Sequence, residues 1–192
     1  MTNALAYCTT RGAGKNPPPQ KVAMVIVDMQ TDSELRRSFE RTGHGRQINE
    51  KFGNICRLAS AAKESGSMVV LTRRVNKEDA PEIDSNLVAA AGTPVIVEKT
   101  GLGAFSGTSL EETLRKNGVG ALVIAGFDKY KCVLAIAKEA LERGFVVLTS
   151  EDTLIGSRFT DQISKKITDG FFMANTLAHE NVDALLKYFK KP

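Results

Sequence analysis

Three side chains stand out for the chemistry they could do together. Cys132 follows the short apolar run 121–125 and sits where a helical pattern begins. Exposed N–H groups and the positive end of a helix dipole favour a thiolate there, and a thiolate is a nucleophile. Asp28 closes the apolar stretch VAMVIV, and Lys99 follows the third apolar run, Val95 to Val97, after Glu98. A carboxylate in that position can take a proton, and an ammonium can hold an anion close. The usual base for a nucleophilic cysteine is histidine. Of the chain's two, His44 lies in RTGHGR and His179 opens the last helical pattern, so neither follows a strand. The residues alone leave a second reading open for each group: Cys132 as packing beneath its helix, and Asp28 as a cap on the next turn.

The surrounding elements follow from apolar spacing. Residues 22–27 form the first strand, too short for a helix and without alternation, as in a strand buried on both faces. Ile48, Phe52, Ile55, Leu58 and Ala62 recur at helical spacing over 47–65, stopped by Gly66, with Cys56 near the buried stripe. Strands follow at 68–72, 95–97, 121–125 and 145–149, and a sixth is expected at 170–174. Helices are expected at 108–117, capped by Thr108 with Glu111 closing a capping box, and at 131–143, 160–168 and 179–189. Residues 75–94 form a polar crossover with one helical turn at 87–91. Such alternation implies an α/β protein with a parallel sheet covered on both faces, whose ligands sit at the carboxyl edge.

Composition sets the frame. A chain of 192 residues fits one domain, 21–192, preceded by an N-terminal extension over 1–20 that ends in a stiff Pro-Pro-Pro segment. Hydrophobic and charged fractions of 42% and 25% are those of an ordinary soluble protein. No run is long enough for a membrane span and no signal-peptide core opens the chain. Cys8, Cys56 and Cys132 make neither a paired framework nor a metal-ligand spacing, which points to a reducing, cytoplasmic compartment. The net charge of +4 is dispersed without aromatic interleaving, so nucleic-acid binding is unsupported. Two glycine-rich stretches fail as phosphate loops. Before Lys15, Thr9 stands where the first glycine belongs and Asn16 where a hydroxyl residue belongs; after Lys99, the third glycine arrives one residue late at Gly107.

The segments VIVDMQTD, VEKTGLGAFSGTSLEETL, LVIAGFDKYKCVLAIAKEAL and VVLTSEDTLIGSR, in this order, resemble the isochorismatase-like cysteine hydrolases, which include nicotinamidases and N-carbamoylsarcosine amidases. The resemblance implies a three-layer α/β/α sandwich with a six-stranded parallel sheet, order 3-2-1-4-5-6, and a catalytic triad of Asp28, Lys99 and Cys132. It implies a cis peptide between Phe127 and Asp128, with the Asp128 and Cys132 N–H groups forming an oxyanion hole. It also implies a homo-oligomer acting on a small molecule without a cofactor. The stretch 72–79 lacks the histidines with which nicotinamidases bind a metal, so no metal is expected. True isochorismatases do not need the cysteine, so Cys132 leans towards hydrolysis of an amide or ureide C–N bond. Thr31, Ser33 and Lys129 depart from the commoner asparagine, phenylalanine and threonine, which bears on specificity.

Substrate contacts are expected from Phe127 and from Phe105, the latter as a pocket wall, though an apolar contact under its loop explains Phe105 too. Arg73, Arg74 and Lys129 are expected at the mouth, where they could select a carboxylate; solvated surface charge is the plainer reading of all three. The competing functional reading is a catalytically silent relative that binds a metabolite or a partner protein in the same cleft. A nucleotide-binding α/β protein is the third.

Overall fold

A computed structural model of the chain describes residues 21–31, 45–76, 80–157 and 160–190. The extension over 1–20, with Cys8 and the segment 12–15, lies outside the described residues, as do Ser33 and His44. The strands are β1 (Lys21–Val27), β2 (Val69–Arg74), β3 (Val95–Lys99), β4 (Val119–Phe127), β5 (Val146–Ser150), β6 (Leu154–Ile155) and β7 (Leu177–His179). Their ladders are all parallel, in the order β3-β2-β1-β4-β5-β7, with β6 beside the end of β4.

Both faces of the sheet are covered, which explains why its central strands are continuously apolar. Met24 and Ile26 of β1 face a layer formed by α1 (Gly45–Ser65), α2 (Ser85–Ala91) and α6 (Val182–Leu186), packing with Ile55, Leu58, Leu87 and Leu185. Val25 and Val27 face the opposite layer of α3 (Leu110–Lys116), α4 (Leu134–Glu142) and α5 (Gln162–Asn175), with Leu110, Leu114, Ile136 and Phe172. The architecture is therefore the expected three-layer α/β/α sandwich. Among the described residues no helix is long and apolar enough to cross a membrane.

The last strand differs from expectation. Residues 170–174 belong to α5, and the sixth place in the sheet order goes to β7. A short run such as GFFMA does not separate strand from helix by itself. The packing decides: Thr168 and Phe172, one turn apart, face the core, while Asp161 caps the helix by accepting from the Ile163 and Ser164 N–H groups at 3.0 and 2.9 Å. The final helix is also shorter than 179–189, because His179 ends β7 and Asn181 caps α6. At α3, Thr108 accepts from the Leu110 N–H at 3.1 Å, but Glu111 closes no capping box. Its carboxylate instead takes Arg115 and Arg143, at 2.9 and 3.0 Å.

Candidate active site

β1 lies between β2 and β4, so the chain ends of three neighbouring strands open on one edge of the sheet, where the strand order reverses. Asp28 follows β1, Lys99 ends β3, and Cys132 follows β4 across a π-helical turn, Lys129–Val133. Gly126 makes the approach possible. It is in register with Val27, has φ +120°, and a Cβ there would lie 2.4 Å from the Val27 carbonyl oxygen. Only glycine lets β4 run that close to β1.

Asp28 is buried and has a left-handed backbone, φ 49°, a region aspartate enters more readily than most residues. Thr72 of β2 holds it twice. The Asp28 N–H donates to the Thr72 hydroxyl oxygen at 3.2 Å, and that hydroxyl donates to Asp28 Oδ1 at 2.7 Å. The other oxygen, Oδ2, meets Lys99 Nζ at 2.8 Å. Lys99 is only 3% exposed and reaches past β2 to make this contact. Its remaining donors go to the Gly101 and Leu102 carbonyls at 3.0 and 3.3 Å. The Cys132 thiol, also buried, lies near enough to both for the charges of Asp28 and Lys99 to act on its ionisation. The three residues singled out by type thus converge in one water-poor place.

The thiol's ionisation differs from the expectation of a ready thiolate. The Cys132 pKa is raised to about 11, first by burial and then by the Asp28 charge, with Lys99 offsetting part of the rise. The resting group at neutral pH is a protonated thiol beside Asp28. Nucleophilic attack from such a group needs its proton removed in the same event, and a carboxylate beside the thiol is a group able to take that proton.

Around this centre the Phe127–Asp128 peptide is cis. The Asp128 side chain fixes the π-helical turn from inside: Oδ1 accepts from the Tyr130 N–H at 3.0 Å and from the Ser157 N–H at 3.1 Å. Gln30, also buried, reads both backbone groups of Arg74. Its Oε1 accepts from the Arg74 N–H at 2.9 Å, while its Nε2 donates to the carbonyls of Arg74 and Pro81 at 3.0 and 2.7 Å.

A match to the isochorismatase domain family covers residues 22–178, which includes every element that positions these groups. The chain belongs to the isochorismatase-like hydrolase family. It is 27% identical over 122 residues to an N-carbamoylsarcosine amidase of Arthrobacter sp, covering 60% of this chain and 46% of that one, so the likeness spans less than half of that relative. Among solved structures, a cysteine hydrolase from Pseudomonas syringae superposes with a TM-score of 0.75 at 17% identity, covering 94% and 98% of the two chains. A nicotinamidase from Bacillus subtilis does so with a TM-score of 0.66 at 21% identity, covering 83% and 99%. Both of these show the fold.

Inside this isochorismatase-like domain, the residues expected to touch substrate are placed differently from the central three. Phe105 is buried against Phe145, ring centroids 5.7 Å apart, and under the Arg143 guanidinium, so it is core and not an open wall. Phe127 packs into the layer beneath α1, on the opposite side of the sheet from the cluster containing Cys132. Arg73 pairs with Glu98 and with Glu82, the latter at 3.2 Å. Lys129 is 4% exposed and held by Glu151 and Asp169 at 2.6 and 2.7 Å. Burial alone would lower its pKa; the hydrogen bonds to Asp169 and Glu151 more than reverse that and raise it. Of the expected basic mouth, Arg74 keeps an exposed side chain. The charge of Arg73 and Lys129 is spent on neighbouring carboxylates, which long polar side chains near acidic loops do whenever the geometry allows.

Thr72, Gln30 and Glu139 are the polar residues that residue-type reasoning passed over. A hydroxyl at the end of an apolar strand was the available signal for Thr72. For Glu139 it was a carboxylate on the same helical face as Cys132 and Ile136. A hollow of about 230 Å³ opens beside Lys99, lined by Thr100, Gly101, Ser106, Thr108 and Glu139 among others. A larger one, about 610 Å³, lies at the amino edge of the sheet among Lys21, Lys63, Ser67 and Asn117, away from this chemistry. Among the described residues, no group of three or more His, Cys, Asp or Glu could hold a metal ion.

Proposed function

We propose that this protein hydrolyses a C–N bond, amide or ureide, in a small molecule through a thioester on Cys132. The observation that carries the reading is the buried contact of Lys99 with Asp28, 2.8 Å, beside a thiol that keeps its proton at rest. In the first half-reaction Asp28 takes the thiol proton as the sulfur attacks the carbonyl carbon. The resulting oxyanion is received by the Asp128 and Cys132 N–H groups. Collapse breaks the C–N bond, and the proton on Asp28 leaves with ammonia or an amine. Water then attacks the thioester, giving its proton to Asp28. The carboxylic acid departs and the thiol regains its proton. Lys99 keeps the negative charge shared between Asp28 and sulfur compensated throughout, which matters most where water is excluded.

The sequence relative named above, an amidase, supports an amide over other bonds. No resident metal or cofactor enters this chemistry. The free thiol fits a reducing, cytoplasmic compartment, and the protein works as a homo-oligomer, which light scattering behind a sizing column tests. The experiment for the activity is ammonia release across a library of primary amides and ureides, with Cys132→Ala as control. A silent relative that binds a metabolite is favoured instead by one observation, the burial of the sulfur. Ligand binding without turnover in both proteins would select it.

A further inference from the structure

The reach of Lys99 raises a question that the three central residues do not answer: what keeps an edge-strand lysine pointed at a carboxylate two strands away. The Asp28 contact uses one direction of the ammonium, and the carbonyls of Gly101 and Leu102 use the others. Those carbonyls sit in the loop directly after β3, so the lysine is aimed only as well as that loop is fixed. The loop carries glycines at 101, 103 and 107 and has little stiffness of its own.

Glu139 supplies the fixing. It lies on α4, about two turns beyond Cys132 on the same face of the helix. Its Oε2 accepts from the Ala104 N–H at 2.9 Å and from the Phe105 N–H at 3.0 Å. Gly103 leaves room for that carboxylate: a Cβ at 103 would lie 2.4 to 2.5 Å from the Glu139 carboxylate atoms. The neighbouring ring of Phe105 is anchored in the core against Phe145. A chain of contacts therefore runs from the helix of Cys132 through Glu139 to the 104–105 backbone, back along the loop to the 101–102 carbonyls, and on to Lys99 and Asp28.

We propose that Glu139 is a positioning residue that refers Lys99 to the same helix that carries the nucleophile, so that ammonium, carboxylate and thiol keep one mutual geometry. This rests on the reading of Asp28, Lys99 and Cys132 as the reacting group. It goes beyond that reading by assigning a fourth residue that touches none of the reacting atoms. Because Lys99 favours the thiolate, a Lys99 that drifts leaves the thiol harder to ionise.

The test uses the full chain with Cys8→Ser and Cys56→Ser, so that Cys132 is the only thiol, and follows iodoacetamide alkylation at pH 8.5 by intact mass. The two roles for Glu139 predict opposite signs. A merely structural loss loosens the loop, exposes the sulfur and speeds alkylation. The positioning role predicts that Glu139→Ala slows it about threefold or more, with Glu139→Gln, which keeps one acceptor oxygen, falling between. Lys99→Met slows alkylation at least as much, and adding Glu139→Ala to it changes nothing further, because both act through one path. Circular dichroism melting checks that each variant is folded, and Glu139→Gln carries the test if Glu139→Ala is not. Unchanged or faster alkylation in both Glu139 variants overturns the proposal, as does a full additional loss in the double variant. If Lys99→Met itself does not slow alkylation, the reacting group falls with it, which separates the two failures.

Discussion

Two lysines lie almost equally buried near Cys132, Lys99 and Lys129, at 3% and 4% exposure, and each is paired with acid. Their partners differ. Lys99 meets the Asp28 side chain, itself 8% exposed, whereas Lys129 meets Glu151 and Asp169, whose side chains are 65% and 46% exposed. A pair closed off from water acts on whatever else shares its space, because little solvent screens it. Here that neighbour is a thiol, whose pKa is raised first by burial and then adjusted in opposite directions by the two members of the pair. The Lys129 cluster opens to solvent through its carboxylates and mainly ties the π-helical turn to the end of β5 and to α5. The difference teaches that burial of a charge does not mark function; burial of both partners around a third ionisable group does.

If the enclosed pair controls the thiol, alkylation of Cys132 should track deprotonation over a wide range. Since its pKa is raised, the proton stays on below about pH 11. The rate should then climb about tenfold per pH unit, roughly 10³-fold from pH 7 to 10, without a plateau near neutrality. A plateau by pH 8, read from stopped alkylation and mass, breaks the distinction. Lys99→Met should cost about 3–5 kcal/mol by urea unfolding, because it leaves Asp28 buried and unpaired. Thr72→Val removes the hydroxyl that donates to Asp28 and should cost about 1.5–3 kcal/mol in the same assay. Lys129→Met should cost only about 1 kcal/mol, since its freed carboxylates can return to water. Its effect should shrink between 0.05 and about 1 M salt, while that of Lys99→Met holds. Equal salt dependence of the two would erase the contrast between them.

Much of the arrangement could be read from residue order. The apolar runs that became β1 to β5 are marked by length and by flanking glycines, and Asp28, Lys99 and Cys132 are among the ionisable residues that follow three of them. Strand order needed the family resemblance, since periodicity places strands but does not rank them across a sheet. Residues 170–174 read as a strand from sequence because so short an apolar run carries too little phase to tell a strand from a helix, and only the packing of Phe172 decides. The aromatic and basic contacts were hardest. Phe105 and Lys129 have the side chains a pocket needs, but the sequence does not tell that Phe145, Glu151 and Asp169 come round to meet them. The thiol's raised pKa has the same origin. Helix-end fields can be guessed from local sequence, whereas burial depends on everything folded over the site.

If Asp28, Lys99 and Cys132 act on a C–N bond as one group, acid-quenching the protein during turnover of an amide that yields ammonia traps the intermediate, which is read by weighing the Cys132 peptide. The expected result is the mass of the substrate's acyl group on Cys132, and ammonia release reduced about 10⁴-fold in Cys132→Ala. Ammonia release undiminished in Cys132→Ala, with no adduct on the wild-type thiol, would contradict joint action by the three.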